Sequence, residues 1–386
     1  MTSSLPFDLI VVGGGPVGAS LARAVHGLSV ALIAAERPVE RGMREFDSRV
    51  YALSPGNVAF LRALGCWDAL PAERLAPVYA MSIYGDDGRS SLQFDAYEAG
   101  VGELAWIVED CALQQALWQD ARDVRAITGV ACERLGVGER EATLTLSDGT
   151  RLEGKLVVGA DGAQSFVRRE AGIAASERDY GQTAVVANFR CEKRHSNIAR
   201  QWFLGGAVLA LLPLPGDQVS MVWSLPSAEA DRVAALDPSS LAQEVERASR
   251  GALGALVSAS PARSFPLRRV AARSLAAPRI ALVGDAAHVI HPLAGQGLNL
   301  GLQDARVLAE TLAGREPGRD PGEHRLLRRY ERSRAEPILA MDTVVDGLFR
   351  LYGAENRFIA RLRNSGLNLT DRLPVLKNIL MRQAMS

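Results

Sequence analysis

Residues 7–12 are apolar apart from Asp8, the pattern of a strand buried on both faces of a parallel sheet. A glycine-rich turn follows. Residues 19–27 then have helical spacing, and residues 29–35 form a second apolar, β-branched run that leads into Glu36. Strand, turn, helix and strand within about 30 residues predict one βαβ unit. Strand character returns at 151–158, before Gly159-Ala160-Asp161-Gly162, and at 279–283, before Gly284-Asp285. Between these, residues 183–189, 207–212 and 218–224 are strand-like and separated by turns such as Pro215-Gly216-Asp217. They predict an antiparallel sheet inserted into the first domain. Residues 315–322, rich in Pro, Gly and charge, predict a surface loop, and the pattern from Glu323 onward is helical.

Composition narrows this picture. A chain of 386 residues is too long for one average domain, so two interleaved domains are expected. Acidic and basic residues balance at 44 each, which leaves no global field to draw in nucleic acid, and no nucleic-acid partner is expected. Cys66, Cys111, Cys132 and Cys191 are scattered without a C-x-x-C pair, as expected of buried thiols in a reducing compartment. The N-terminus has no basic signal-like region, and no apolar run reaches the roughly 18–20 residues of a membrane span. A cytoplasmic protein is expected, one that at most meets the inner face of a membrane.

The first candidate chemistry lies in Gly13-Gly14-Gly15-Pro16-Val17-Gly18. Alone, a G-x-G-x-x-G is weak evidence. Between a strand and a helix it predicts a Rossmann-type dinucleotide site. Gly13 permits the tight turn, Gly15 lets the backbone approach a pyrophosphate, and Gly18 allows close helix–strand packing. The helix N-terminus that follows Gly15 offers unpaired N–H groups to the phosphates. Glu36, followed by Arg37, is placed to accept hydrogen bonds from a ribose.

A second constellation runs from Gly284-Asp285-Ala286-Ala287-His288 through His291-Pro292 to Gly295-Gln296-Gly297-Leu298-Asn299. Asp285, His288 and His291 have a spacing that suggests a metal, but no further ligand cluster completes it, so none is expected. A strand-end acid followed by a loop opening a helix near Gln296 suits a sugar hydroxyl and an anion better.

Together these stretches resemble the single-component, para-hydroxybenzoate-hydroxylase-like FAD-dependent monooxygenases, with Gly159-Ala160-Asp161-Gly162, Ser165 and Arg168 similar to their Asp-Gly motif. All three signatures occur in the family's order. A narrower resemblance, to the ubiquinone-biosynthesis aromatic hydroxylases, rests on Asp47-Ser48-Arg49-Val50-Tyr51-Ala52-Leu53-Ser54, Leu64-Gly65-Cys66-Trp67, Ile107-Val108-Glu109, Leu211-Leu212-Pro213-Leu214 and residues 361–367. Two departures are visible. Gly206-Ala207-Val208 stands where members often carry Gly-Pro-Leu, and Asp110-Cys111 replaces a more usual amide–basic pair.

The resemblance implies an α/β fold: a Rossmann-type FAD-binding domain (1–77, 105–180, 267–322), an inserted antiparallel-sheet substrate domain (78–104, 181–266) and C-terminal helices (323–386). It implies FAD held by Gly13, Gly15, Pro16, Val17, Gly18, Glu36, Arg37, Arg49, Asp161, Gly162, Gly284, Asp285, Ala286, Pro292, Gly297, Leu298 and Asn299. Pro292, Gly295, Gln296 and Gly297 would form the flavin-facing loop. No catalytic acid or base emerges, and His288 reads equally as a structural hydrogen-bonding group. NADH or NADPH would act as transient electron donor, and flavin C4a-hydroperoxide chemistry would hydroxylate a polyprenylated phenol. Another aromatic substrate, or reduction of prenyl double bonds, stays open.

The inserted sheet is apolar and aromatic: Trp202, Phe203, Leu209, Leu211, Leu212, Val222 and Trp223. Most are expected in the core and some in a pocket at the domain interface. In residues 357–386, six basic residues face one acid, and Leu373, Leu376, Ile379 and Leu380 recur at helical spacing. This tail is expected to pack as a helix, with contact to anionic lipid or a biosynthetic complex as the alternative.

Overall fold

The computed structural model describes residues 5–38, 45–119, 123–291 and 295–353. Pro292 and the basic tail at 357–386 therefore lie outside the described residues.

The first sheet runs in the order Ala276–Ala277, Ile280–Leu282, Arg151–Gly159, Leu5–Val12, Val30–Ala34, Val124–Thr128. The last five strands are mutually parallel. Leu9, Ile10, Val11 and the strand facing them, Leu156 to Val158, are fully buried, so their unbroken apolar runs are explained by helices covering both faces. Each such Leu or Val contributes about 1.5–3 kcal/mol by leaving water. A hairpin, Cys132–Val137 and Ala142–Leu146, extends the sheet antiparallel to the start of Arg151–Gly159.

The second sheet has nine strands. Its main path is His288–Val289, Arg263–Ala272, Ala175–Cys191, Gln218–Pro226, Ala207–Leu214, Ile198–Leu204, Ala80–Tyr84, Ser91–Asp95. It is antiparallel as expected except at Ile198–Leu204, which pairs parallel with Ala80–Tyr84. A small three-stranded sheet, Val50–Leu53, Ala105–Glu109 and Ala76–Val78, lies beside them.

Alternation decides where the aromatic residues of the inserted sheet point. Trp202, Leu209, Leu211 and Trp223 pack on the outer face in one cluster with residues of the helices Ser227–Ala234 and Pro238–Ala248. They do not line an interface pocket. The opposite face carries Phe203, Ala210, Leu212 and Val222. Of these, Ala210, Leu212 and Val222 are only half-buried although they sit in interior strands.

The loop at 315–322 is only partly a surface loop. Pro321 and Gly322 are buried, and a Cβ on Gly322 would stand 1.9 Å from the Lys155 carbonyl oxygen. Arg279 clasps the same segment through Asp320 at 2.7 Å. All four cysteines are free, two buried and two half-buried. Among the described residues, no helix is long and apolar enough to cross a membrane.

Candidate cofactor and substrate site

The strands Ile280–Leu282, Arg151–Gly159 and Leu5–Val12 are adjacent and parallel, so their carboxyl ends share one edge. That edge is where open α/β sheets bind ligands. It brings together the Gly13–Gly15 turn, Asp161-Gly162 and Gly284-Asp285, which are remote in sequence.

Sterics shape the glycine turn. Gly13 has φ +114°, and a Cβ there would meet the Ala160 carbonyl oxygen at 2.1 Å. A Cβ on Gly18 would stand 1.9 Å from the Gly13 oxygen. Gly15 differs: nothing lies within 4 Å of its Cβ position. It opens the helix Pro16–Ala24, which starts earlier than the periodicity predicts because Pro16 takes its first turn, where a missing N–H costs nothing. No side chain caps this start and no acid occupies its first turn, leaving its N–H groups free for an anion. Glu36 and Arg37, both exposed, follow the end of Val30–Ala34. Arg37 also lines a pocket of about 130 Å³ with Trp118, whose indole N–H donates to the Gly14 carbonyl at 2.8 Å.

A second helix start lies beside the first. Gly297–Ala313 begins after Gln296 with no side-chain cap and no first-turn acid, and the space around Gly297 is open. Its Gly301 packs on Val17, where a Cβ would come within 2.7 Å, and Gly284 has φ +59° against the same valine. The two glycine starts are thus locked together. The residues present fit a long dianionic nucleotide with a second electron-rich end: one open cradle at Gly15 and one at Gly297.

The motif side chains divide into those facing the cleft and those holding its loops. Asp285 is solvent-exposed yet deep in the cleft, where burial by surrounding protein raises its carboxyl pKa against the pull of His288 and Arg49. Arg49 lies 3.9 Å from Asp110. Burial works against its charge, but Tyr51, Asp110, Asp285 and Asp47 outweigh this and raise its pKa. The Tyr51 hydroxyl donates to Asp110 at 3.0 Å. Asp110, a departure from the family pattern, thereby joins the polar rim of the cleft.

Asp161, in contrast, accepts from Ser165 and from the Val167 N–H at 3.0 Å, and Arg168 donates to the Ala286 carbonyl at 2.8 Å. The Asp161 carboxylate closes its own motif turn, with Gly162 at φ +81°, and the Arg168 guanidinium ties that motif to the Ala286 loop. The Asn299 side chain is likewise engaged. It accepts from the Ser54 N–H at 2.9 Å and donates to the Ala52 carbonyl at 2.8 Å, while Asn57 donates to it at 2.9 Å. Only its backbone N–H, with those of Gly297 and Leu298, is left for a ligand.

His288 is structural. Its Nε2 lies 2.6 Å from the fully buried Asp304, which also takes the Gly284 N–H at 2.9 Å and the Arg334 Nε at 2.6 Å. Burial alone would raise the Asp304 pKa, but His288 and Arg334 hold it below the usual range. His291 lies elsewhere, its Nε2 3.0 Å from the Gln182 side-chain oxygen, and burial pushes its pKa down to about 4. No group of three or more metal-ligating side chains exists among the described residues.

Asp304 and Arg334 were not among the expected residues. The available signal was a charge standing at an apolar-face position of each helix, beside Leu300 and Leu308 in one and Tyr330 and Ile338 in the other. A further cavity of about 350 Å³ lies between the helix Asp110–Trp118 and residues 260–263. Its Cys111 thiol is pushed up to about 12 by burial, Glu109 and Asp47, so it offers no thiolate.

Comparison with known proteins adds four facts. A family model described as "FAD binding domain" matches residues 7–343. The chain is 36% identical to ubiquinone hydroxylase UbiL of Rhodospirillum rubrum, covering 98% of this chain and 89% of that one. It is 33% identical to 3-demethoxyubiquinol 3-hydroxylase of Escherichia coli, covering 98% of each. The crystal structure of Pseudomonas aeruginosa PqsL with 2-aminobenzoylacetate superposes with a TM-score of 0.79 over 95% of this chain and all of that one; at 24% identity this speaks for the fold.

Proposed function

The chain belongs to the FAD binding domain family and is an FAD-dependent monooxygenase, and from that premise we propose that it hydroxylates the aromatic ring of a polyprenylated phenol in ubiquinone biosynthesis. The observation that carries the reading is the pairing of two open glycine helix starts with a half-buried apolar sheet face across the same cleft. A cofactor with an anionic middle and an aromatic end suits the first. An aromatic ring with a hydrocarbon tail suits the second, since each buried CH₂ contributes about 0.8 kcal/mol.

In this reading Gly15, Pro16, Val17 and Gly18 hold the pyrophosphate, Glu36 and Arg37 the adenosine end, and Asp285 the sugar-alcohol chain. Bound FAD supplies reductive activation of oxygen. The overall change balances as a ring C–H becoming C–OH: one oxygen atom enters the ring and the other leaves as water. Hydride from NADH or NADPH and one proton provide the reduction.

The chain's own residues supply placement and electrostatics. The Gly297 to Asn299 N–H groups place positive helix-dipole potential where negative charge develops. Leu212, Val222 and Ala210 exclude water from the ring's side of the cleft. Residues 1–77, 105–180 and 267–322 would serve the cofactor, and 78–104 with 181–266 the substrate. We assign the protein to the cytoplasm, with residues 357–386 as its contact to the membrane that carries such substrates.

Quinone profiling of a deletion strain tests this. An accumulated prenylphenol lacking one hydroxyl supports the reading and identifies the ring position. An unchanged quinone pool with accumulated unsaturated prenyl chains would point instead to a prenyl reductase.

A further inference from the structure

One strand of the substrate sheet, Ala175–Cys191, reaches across to both loops that border the cofactor cleft. At one end, the Asn188 amide donates to the Phe46 and Asp47 carbonyls at 3.1 and 3.0 Å, just before Arg49. At the other, the Gln182 amide donates to the Gly206 carbonyl at 2.7 Å, which turns its oxygen toward His291 Nε2 at 3.0 Å. The network thus fixes the tautomer: Nε2 donates to Gln182 and Nδ1 carries the lone pair. His291 is the last described residue before Gly295 and the Gly297 helix start.

Both contacts are buried. Asn188 and His291 are each 1% exposed. The His291 ring packs edge-on to Tyr180 at 4.8 Å and tilted on Phe349 at 5.1 Å, Phe349 coming from the long helix His324–Gly353. Residues 182, 184, 186 and 188 share one face of the strand, so the two clamps are roughly 20 Å apart. Ala184 and Val186 lie between them, and Val222, half-buried, packs with Tyr180 and Ala184.

We propose that Asn188 and the Gln182–His291 pair are positioning residues: they fix the Arg49 loop and the Gly284–His291 motif segment to the substrate sheet, so that the ring to be hydroxylated and the flavin keep one spacing. The inference rests on the hydroxylase reading and adds these residues to it. A loosened clamp lets activated oxygen escape as hydrogen peroxide, with NAD(P)H and oxygen consumed and no hydroxyl transferred.

The test uses full-length, FAD-loaded protein with a 2-prenylated phenol in detergent micelles. Gln182→Leu, Asn188→Leu and His291→Leu should each raise the hydrogen peroxide formed per NAD(P)H by about five-fold or more, because small misplacements are costly in rate. FAD content should stay at the wild-type level. His291→Gln, whose amide N–H replaces Nε2–H, should restore coupling. The Gln182→Leu/His291→Leu double variant should be no worse than either single. Wild-type coupling in His291→Leu, or equal uncoupling in His291→Gln and His291→Leu, overturns the proposal. If His291→Leu does not fold, Gln182→Leu gives the same reading. If wild-type protein fails to hydroxylate the phenol, the substrate reading fails by itself. The positioning claim is then read without substrate from the visible circular dichroism of bound flavin. Gln182→Leu must change that band and His291→Gln must keep it, and an unchanged band in Gln182→Leu overturns the claim.

Discussion

The glycine turn at 13–18 is shaped by what cannot fit, whereas Gly284, His288, His291 and Asn299, on either side of the Gly297 helix start, are held by side-chain bonds to other segments. In the first, backbone atoms stand 1.9 to 2.1 Å from where a Cβ on Gly18 or Gly13 would be. In the second, Asn299 holds Ala52 and Ser54, His291 holds Gln182, and Asp304 holds Gly284 and His288. Steric exclusion writes itself into local sequence as a run of glycines. Side-chain clamps are written at both ends of contacts that span up to about 250 positions, as between Asn299 and Ala52.

Substitutions can break this contrast in order of effect. Gly18→Ala comes first, because its Cβ meets backbone that cannot retreat without moving the first strand. We expect more than about 4 kcal/mol of destabilisation and little soluble protein, read by urea denaturation. Near-normal stability would mean the helix can slide, and the steric account of the turn would fail.

Asp304→Ala comes next. It strips a fully buried carboxylate from His288, Arg334 and the Gly284 N–H, and leaving one buried charge unpaired costs about 3–5 kcal/mol. The same measurement checks it. A loss near zero would show that Arg334 finds another partner and that the clamp is dispensable.

Gly15→Val separates folding from binding, since its Cβ position is open in the protein. The apoprotein should keep its melting temperature while FAD affinity falls by about 100-fold, or close to 2.8 kcal/mol. Flavin fluorescence titration measures this, and unchanged affinity would place the pyrophosphate elsewhere.

The smallest effect is a pH dependence at His291. Its folded pKa of about 4 lies below the ordinary 6.5 because burial disfavours the charged ring. Between those values the unfolded chain binds a proton that the folded chain does not. Stability therefore falls as pH drops below 6.5, by roughly 2 kcal/mol at pH 5 from this group. The pH 7 to pH 5 loss in wild type should exceed that in His291→Gln by this amount. Equal losses would mean that His291 is not held neutral.

The same contrast explains what could be read from the chain. The βαβ unit, the three motif loops and the inserted sheet were legible because their apolar periods and glycines are local signals. Asp161 and Asn299 were legible as important positions but not in their manner of acting: both sit at motif edges, and the structure turns their side chains inward onto protein. Gln182, Asn188, Asp304 and Arg334 gave little warning, because an isolated polar residue in an apolar element shows its partner only after folding. Trp202 and Trp223 fall in the core, as expected of most of the sheet's aromatic residues. What the aromatic content left open was the face each one takes, and alternation along the strands sends both to the outer face.

The central claim, oxygen insertion into a prenylated phenol, is most directly tested with FAD-loaded protein, NADH or NADPH, a 2-prenylated phenol and ¹⁸O₂. The account predicts a hydroxylated product carrying one labelled oxygen atom from the gas, detected by mass spectrometry. A product hydroxylated with unlabelled oxygen from water, or a prenyl chain reduced with no oxygen gained, would contradict it.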